Sequence, residues 1–417
     1  MQDIPIEPVR GRPVAAETTT GPNGLSRTLI LALGTFAVGT DAFVLAGFLP
    51  DLAAELDVPT ATAGWAVTAF AAAYALGSPL LATATARVPR RALLVTALIV
   101  LGVANLASAV ATTFWLLLAT RVLAAVGAAA FTPNAGAVAS ALVRPEARAR
   151  ALAVVVGGLT IATALGVPLS DVLGEWLGWR SALAAVAALC LLAAAGVAAW
   201  VPSVPAGPRI PLAARLSVLR NRTVAATLPL TTLGMAAAYV VYAYAVPAFE
   251  ALGIAPSSTA WVLALYGVGA VGGSLSSGYV TDRWGATRLL TVGYLVMAAA
   301  LAIMGALAAT HAQVASLAGP LAAAWGAASW CQTPAQQHRL IEAAPQEAGL
   351  VVALNASCIY LGIGAGTLLG GIAIGRGAGT MYFLGAALAA ASVVYLRATA
   401  KRVTPGPLAP VPASGRP

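Results

Sequence analysis

The chain has 417 residues, 60% of them apolar and only 9% charged, against roughly 25% charged in an ordinary soluble domain. That excludes a water-soluble globular enzyme. At about 20 apolar residues for each crossing of a ~30 Å hydrocarbon layer, a mean hydropathy of +0.87 leaves room for about a dozen membrane helices, and the formal charge of +9 has to be read from where its arginines fall.

Residues 1–26 carry Pro5, Pro8, Pro13 and Pro22 without an apolar run and read as a disordered cytoplasmic tail. Apolar stretches then recur at 27–48, 63–84, 92–111, 114–137, 150–171 and 179–200. A polar break over 201–222, with Pro202, Pro205, Pro208, Pro211 and four arginines, reads as a cytoplasmic linker. Six more stretches follow, at 223–247, 259–280, 288–309, 312–334, 349–372 and 379–396, before a Pro-rich tail over 397–417. The expected fold is an all-α integral membrane protein with twelve transmembrane helices in two pseudo-symmetric six-helix bundles, 27–200 and 223–396.

Orientation follows from arginine and lysine, which accumulate in cytoplasmic loops. With the N-terminus inside, 20 of the 23 basic residues fall in inward segments, among them Arg87, Arg90, Arg91, Arg144, Arg148, Arg150, Arg283, Arg288 and Arg339. Only Arg180 and Arg376 fall outside, and Arg121 falls within a span. Both termini are therefore expected in the cytoplasm. The basic excess reads as a device for membrane orientation, and no nucleic-acid partner is expected.

Energy sources narrow as well. The single lysine is Lys401, so no P-loop can form before it and the chain is not itself an ATPase. His311, His338, Cys190, Cys331 and Cys358 show no CxxC or HExxH spacing, so neither a metal site nor a disulfide framework is expected. No cofactor is implied. A repeat is visible at an offset of 196 residues, where Trp65 matches Trp261, Gly77-Ser78 matches Gly273-Ser274 and Arg87 matches Arg283. Two duplicated halves with a substrate site between them near the midplane is the plan of a secondary transporter.

The loop after the eighth stretch reads Gly278-Tyr-Val-Thr-Asp282-Arg283-Trp-Gly285, a GxxxDRxG pattern that resembles the major facilitator superfamily. Gly278 permits close helix contact, and Asp282 can cap a helix or pair with arginine across the seam between bundles, a latch that would stabilise the outward-open state. The first-half copy has Ala86 in place of the acid. The first stretch, Gly39-Thr40-Asp41-Ala-Phe43-Val with Gly47-Phe-Leu49-Pro50, resembles the signature of twelve-span drug:proton antiporters. Asp41 lies about 21 Å along its helix at 1.5 Å per residue. A central Asp costs ~2.5 to 3.5 kcal/mol on insertion scales, so it persists facing a wet cavity or a partner. A carboxyl removed from water favours its protonated form, which suits a proton carrier.

Arg121, in Leu118-Ala-Thr-Arg121-Val-Leu-Ala-Ala-Val-Gly127, resembles the superfamily's fourth-span RxxxG pattern, and its fixed charge would act on Asp41 when the two sites communicate. Snorkelling to the surface is the structural alternative. Gly158, Gly166 and Pro168 resemble the antiporter helix motif of proton-coupled exporters, and Trp179 before Arg180 reads as an interface anchor. Phe70 and Tyr74 share a helix face, as do Trp325 and Ser329. With Tyr239, Tyr242, Gln332 and Asn355 they are the candidate substrate contacts.

The resemblance runs from Gly34 to about Leu396 and is closest to the branch that includes arabinose exporters and chloramphenicol-resistance proteins. It implies a monomeric, proton-coupled exporter of a small, uncharged or weakly polar drug in a bacterial cell membrane, with a phenicol antibiotic as one substrate guess. A sugar or nucleoside exporter and a proton-coupled uptake symporter share the fold. A non-transporting receptor or scaffold would not need Asp41.

Overall fold

In the computed structural model, residues 23–144, 147–166, 169, 173, 177–206, 211–310 and 315–400 are described. Among them no strand occurs, and twelve helices of fourteen residues or more dominate. In the first half these are α1 (Asn23–Phe43), α2 (Trp65–Ala84), α3 (Arg90–Ala109), α4 (Phe114–Ala141), α5 (Arg148–Ile161) and α6 (Trp179–Trp200). The second half has α7 (Arg222–Tyr242), α8 (Thr259–Trp284), α9 (Ala286–Ala309), α10 (Ala315–Ala343), α11 (Ala348–Ile374) and α12 (Ala378–Ala400).

Ten of the twelve are long and apolar enough to cross a membrane. The two that fall short do so for different reasons. The described part of α5 is only fourteen residues long before it runs into a π-helical turn, Ala162–Gly166. In contrast α10 has 29 residues, but Gln332, Gln336, Gln337, His338 and Arg339 dilute its apolar character. Large apolar side chains, among them Leu76, Trp115, Trp261 and Leu275, point outward, as they must where the surrounding solvent is lipid.

The repeat extends beyond the matched residues. A short helix, Leu49–Glu55, follows α1, and another, Ala245–Glu250, follows α7; their starts are 196 residues apart, as are those of α3 and α9. The expected span 223–247 is therefore broken. Helix α7 stops at Tyr242 because Pro247 has no N–H with which to continue its ladder, and the chain turns at Tyr244, whose hydroxyl donates to the Thr367 carbonyl at 3.1 Å.

Small residues let these helices approach backbone to backbone. Along α11, a Cβ at Gly362, Gly366 or Gly370 would press on the backbone of α7, the close approach that small-residue stripes permit in membranes. Helix α5 meets α1 in the same way: the Thr35 hydroxyl donates to the Val155 carbonyl at 2.6 Å, and a Cβ at Gly158 would overlap the Ala32 carbonyl. A backbone atom cannot rotate away, so Gly158→Leu should abolish the monodisperse peak of the purified protein in size-exclusion chromatography. Gly157→Leu should keep that peak, since a Cβ at Gly157 meets nothing within 4 Å.

Openings between the halves occur at both ends of the molecule, at the far end between Phe48, Pro50, Val246 and Pro256. Away from the arginine-rich loops the halves are in contact: the Thr68 hydroxyl donates to the Gly364 carbonyl at 3.4 Å, and the Tyr244 hydroxyl sits against both Gly64 and Gly371. At the arginine-rich end a cleft opens between α2, α4 and α11, lined by Ser78, Arg90, Asn134, Gly349 and Ser357. The arginines here also bind the chain itself. Arg90 donates to the Asn134 side-chain oxygen at 2.8 Å and its backbone N–H to the Val204 carbonyl, while Arg91 donates to the Ala198 carbonyl, so these two residues fasten the last turn of α6 and the segment after it as well as carrying charge.

Candidate functional site

Asp41, in the last turn of α1, is fully buried, and so is Arg121 from α4. The guanidinium takes hold of the acid twice: Nη1 donates to Asp41 Oδ1 at 2.7 Å and Nη2 to the Asp41 backbone carbonyl at 3.0 Å. Among the described residues this is the only ion pair with both side chains buried. Arg121 does not snorkel. Its charge is further held by the Phe70 ring, 4.8 Å from the guanidinium carbon, and by Asn105 Oδ1 at 3.4 Å. Asp41 Oδ2 and Arg121 Nε are buried without a hydrogen-bond partner, so the pair keeps polar capacity in reserve. Asn105 was not apparent from the sequence, where one amide in an apolar run resembles any other.

Next to this pair an aromatic cluster joins the two halves. The Phe43 ring lies 5.6 Å from Tyr239 and 6.2 Å from both Tyr242 and Trp330. Tyr242 reaches Tyr266 at 4.8 Å, which reaches Trp325 at 4.7 Å. On the α2 side, Tyr74 stacks on Tyr360 at 3.7 Å and Phe70 lies 6.1 Å from the same ring. Phe43, Tyr266, Trp330 and Tyr360 are thus additions to the candidate contacts. The repeat contains a signal for two of them: Phe43 and Tyr239, and Phe70 and Tyr266, are each 196 residues apart. The ion pair has no such twin, since Ala237 occupies the position matching Asp41 and Leu301 that matching Asn105.

The polar candidates divide. Tyr239 Oη, Trp325 Nε1 and Asn355 Nδ2 are buried with no partner, the last on a side chain whose oxygen accepts from Thr231 at 2.8 Å. Gln332 is otherwise engaged: its oxygen accepts from Tyr294 at 2.9 Å and its nitrogen donates to the Ser329 carbonyl, which directs it into the second half and away from the seam. Arg339, expected as an exposed orientation charge, is 5% exposed and donates to Gln336 Oε1 at 2.9 Å, because α10 runs to Ala343, past the expected end of the span at residue 334.

The remaining motif residues are placed as follows. Asp282 and Arg283 are exposed at the end of α8, and neither forms an ion pair among the described residues. Gly278 makes no close contact, as a Cβ there would meet nothing within 4 Å, whereas Gly285 ends α8 at φ +82°, a conformation that favours glycine. A Cβ at Gly166 would collide with the Thr40 hydroxyl, which brings α5 against the turn before Asp41. Pro168 lies outside the described residues.

Trp179 is not an interface anchor. It is buried, with Nε1 donating to Glu55 at 2.6 Å, while Arg180 donates to the same carboxylate at 2.9 Å. The Arg180 hydrogen bond holds the Glu55 carboxyl below its ordinary value near 4.5, against partial desolvation, with help from Trp179. A depressed carboxyl contributes stability that is present above its ordinary value and lost as pH falls through the lowered one. The pair is half-exposed, so the effect is small, below ~1 kcal/mol. Glu55→Gln should unfold at a slightly lower temperature than wild type at neutral pH, and thermal scans should show this gap closing from about pH 5 downward.

Residues 31–367, and again 227–416, match the Major Facilitator Superfamily. An uncharacterized MFS-type transporter of Bacillus subtilis, YbcL, is 30% identical over 82% of this chain and 87% of its own length. A chloramphenicol resistance protein of Streptomyces lividans is 36% identical over 64% of this chain and 70% of its own length. The fold is also that of a crystallised D-xylose-proton symporter, with a TM-score of 0.75 at 18% identity, over 88% of this chain and 96% of that one.

Proposed function

We propose, from the premise that this chain belongs to the Major Facilitator Superfamily, that it exports a small, uncharged, aromatic drug in exchange for protons, chloramphenicol or a related antibiotic being the first candidate. The observation that carries this reading is the buried Asp41–Arg121 pair beside an aromatic seam shared by both halves. A carboxylate so deep in the bundle is costly unless its charge is used. A proton entering Asp41 neutralises the carboxylate, leaves the Arg121 charge without its strongest partner and changes the energy of any arrangement in which α1 and α4 separate. Tyr239, Trp325 and Asn355 offer hydrogen bonds to a neutral substrate, while Phe43, Phe70, Tyr74, Tyr242 and Tyr266 offer ring faces. The chloramphenicol resistance protein among the relatives supports the same substrate class. The chain is then a carrier and not an enzyme.

In this reading the two six-helix units, 27–200 and 223–396, rock about the seam in a bacterial cell membrane, with both termini and the 201–222 linker in the cytoplasm. An exposed Asp282 with no ion pair among the described residues is the expected state of an open latch. Asp282→Asn should therefore leave this form unaltered and disfavour the outward-open one. A single-cysteine reporter at Pro50 should then label more slowly from outside, and equal labelling of variant and wild type would reduce the loop to an orientation signal.

The functional test is growth of a pump-deficient bacterium that expresses the protein, across a panel of antibiotics. Raised tolerance to phenicols, lost in Asp41→Asn at equal membrane abundance, is the expected outcome. Tolerance unaffected by Asp41→Asn would remove proton coupling from the account, and a panel with no response would favour the sugar or nucleoside reading.

A further inference from the structure

We propose that Asn105 is a positioning residue for proton exchange: a second, neutral acceptor that takes over the Arg121 guanidinium when Asp41 is protonated. The inference rests on the reading of Asp41 as the proton carrier and adds what must happen to the cation left behind.

Arg121 remains charged at any physiological pH. When Asp41 is ionised, the two charges compensate each other inside the bundle. After protonation the compensation is gone, and a buried guanidinium without acceptors is among the costliest states a protein interior can hold. Three neutral groups stand ready: the Asp41 backbone carbonyl, the Phe70 ring face and Asn105 Oδ1. The first two are already fully engaged, at 3.0 Å and 4.8 Å. Asn105 is not, because its oxygen is 3.4 Å from the same Nη1 that lies 2.7 Å from Asp41 Oδ1. One NH2 nitrogen of the guanidinium thus sits between two acceptors, close to the charged one and at the limit of bonding distance from the neutral one.

Asn105 is held for this role. It is fully buried on α3, and its Nδ2 donates to the Leu101 carbonyl at 3.0 Å, which aims Oδ1 at the guanidinium. Turning the amide over would place its NH2 group against a cation. Other titratable groups within electrostatic reach of Asp41 are Cys190 on α6 and Tyr360 on α11, both neutral near pH 7 in their ordinary state, and among the described residues no second carboxylate shares the site. The balance between Asp41 and Asn105 is therefore set by one proton: bound to Asp41, it sends Nη1 toward Asn105; released, it brings Nη1 back.

The two sides of this balance can be displaced in opposite directions. In Asn105→Leu the protonated state loses its waiting acceptor, so Asp41 should bind its proton less readily. In Asn105→Asp a carboxylate faces the guanidinium and repels the Asp41 charge, so Asp41 should bind its proton more readily. A hydrogen bond to a charged group corresponds to about a tenfold change in proton concentration, or somewhat more.

The experiment is a pH titration of the infrared band of a protonated carboxylic acid in the full-length protein, purified and reconstituted without substrate. Each spectrum is read as the difference from the same background carrying Asp41→Asn; in Asn105→Asp the two carboxyls share Arg121 and titrate as a pair, so the midpoint read there is that of the pair's first proton. The expected result is a midpoint displaced toward acid by about one pH unit in Asn105→Leu and toward alkali by a similar amount in Asn105→Asp. Midpoints that coincide with wild type, or that move in the same direction in both variants, overturn the role of Asn105 while leaving Asp41 as proton carrier. A wild-type band that survives in Asp41→Asn overturns the reading of Asp41 and this inference with it.

Discussion

Asp41→Asn is expected to abolish uphill drug export while downhill exchange continues. Asparagine keeps the shape of the side chain and still offers an oxygen to Arg121 Nη1, so the helix contact between α1 and α4 survives. What it cannot do is gain and lose a proton. A carrier in that condition still alternates and still equilibrates substrate, but the proton gradient no longer enters the cycle. In proteoliposomes with an imposed pH gradient, radiolabelled chloramphenicol should therefore settle at equal concentrations on both sides. Accumulation equal to wild type would remove Asp41 from the coupling path.

Arg121→Ala should have the largest effect on the protein itself. The change removes one member of a buried pair whose two side chains are 1% and 0% exposed, and leaves a carboxylate facing Asn105 and Phe70 alone. Breaking such a pair costs about 3 to 5 kcal/mol. That loss has a signature that simple cavity formation lacks. It should shrink as the pH is lowered, because protonation removes the stranded charge, and it should largely disappear in the double variant Arg121→Ala with Asp41→Asn. Thermal unfolding of the two single variants and the double variant forms a cycle that isolates the pair. If the double variant is as unstable as the sum of the single ones, Arg121 serves packing and the ion pair contributes nothing.

The spans and the singularity of a charge at Asp41 were legible because both rest on one strong physical signal, the cost of placing polar groups in lipid. That signal is local along the chain, and it finds a charge without finding its partner. Asp41 and Arg121 are 80 residues apart, and their contact, like that of Asn105, depends on how three helices cross. Where the apolar signal continued through a turn, as from Tyr242 into Val246, the break was invisible except for Pro247. At the end of α10 the reverse holds: Arg339 reads as loop charge because polar residues from Gln332 onward end the apolar run while the helix continues to Ala343. Aromatic residues are ordinary packing elements, so nothing but the 196-residue offset sets Phe43 and Tyr266 apart, and the hydrogen bond from Tyr294 to Gln332 depends on packing between helices that the chain order does not show.

Asymmetry between the halves is the feature that ties these observations together. Aromatic positions Phe43 and Phe70 recur as Tyr239 and Tyr266, while Asp41 and Asn105 are replaced by Ala237 and Leu301. The aromatic seam is thus built by both halves and the buried ion pair by the first alone. Proton binding would then act on one side of the seam, and the second half would respond through the aromatic contacts.

The most direct test of this account follows protons and drug together. Wild-type proteoliposomes loaded with a pH-sensitive dye and given no initial pH difference receive an inward chloramphenicol gradient. The account predicts a proton current opposite in direction to the drug, absent in Asp41→Asn proteoliposomes that still take up the label. Drug entering wild-type vesicles with no movement of protons, or with protons moving in the same direction, would contradict it.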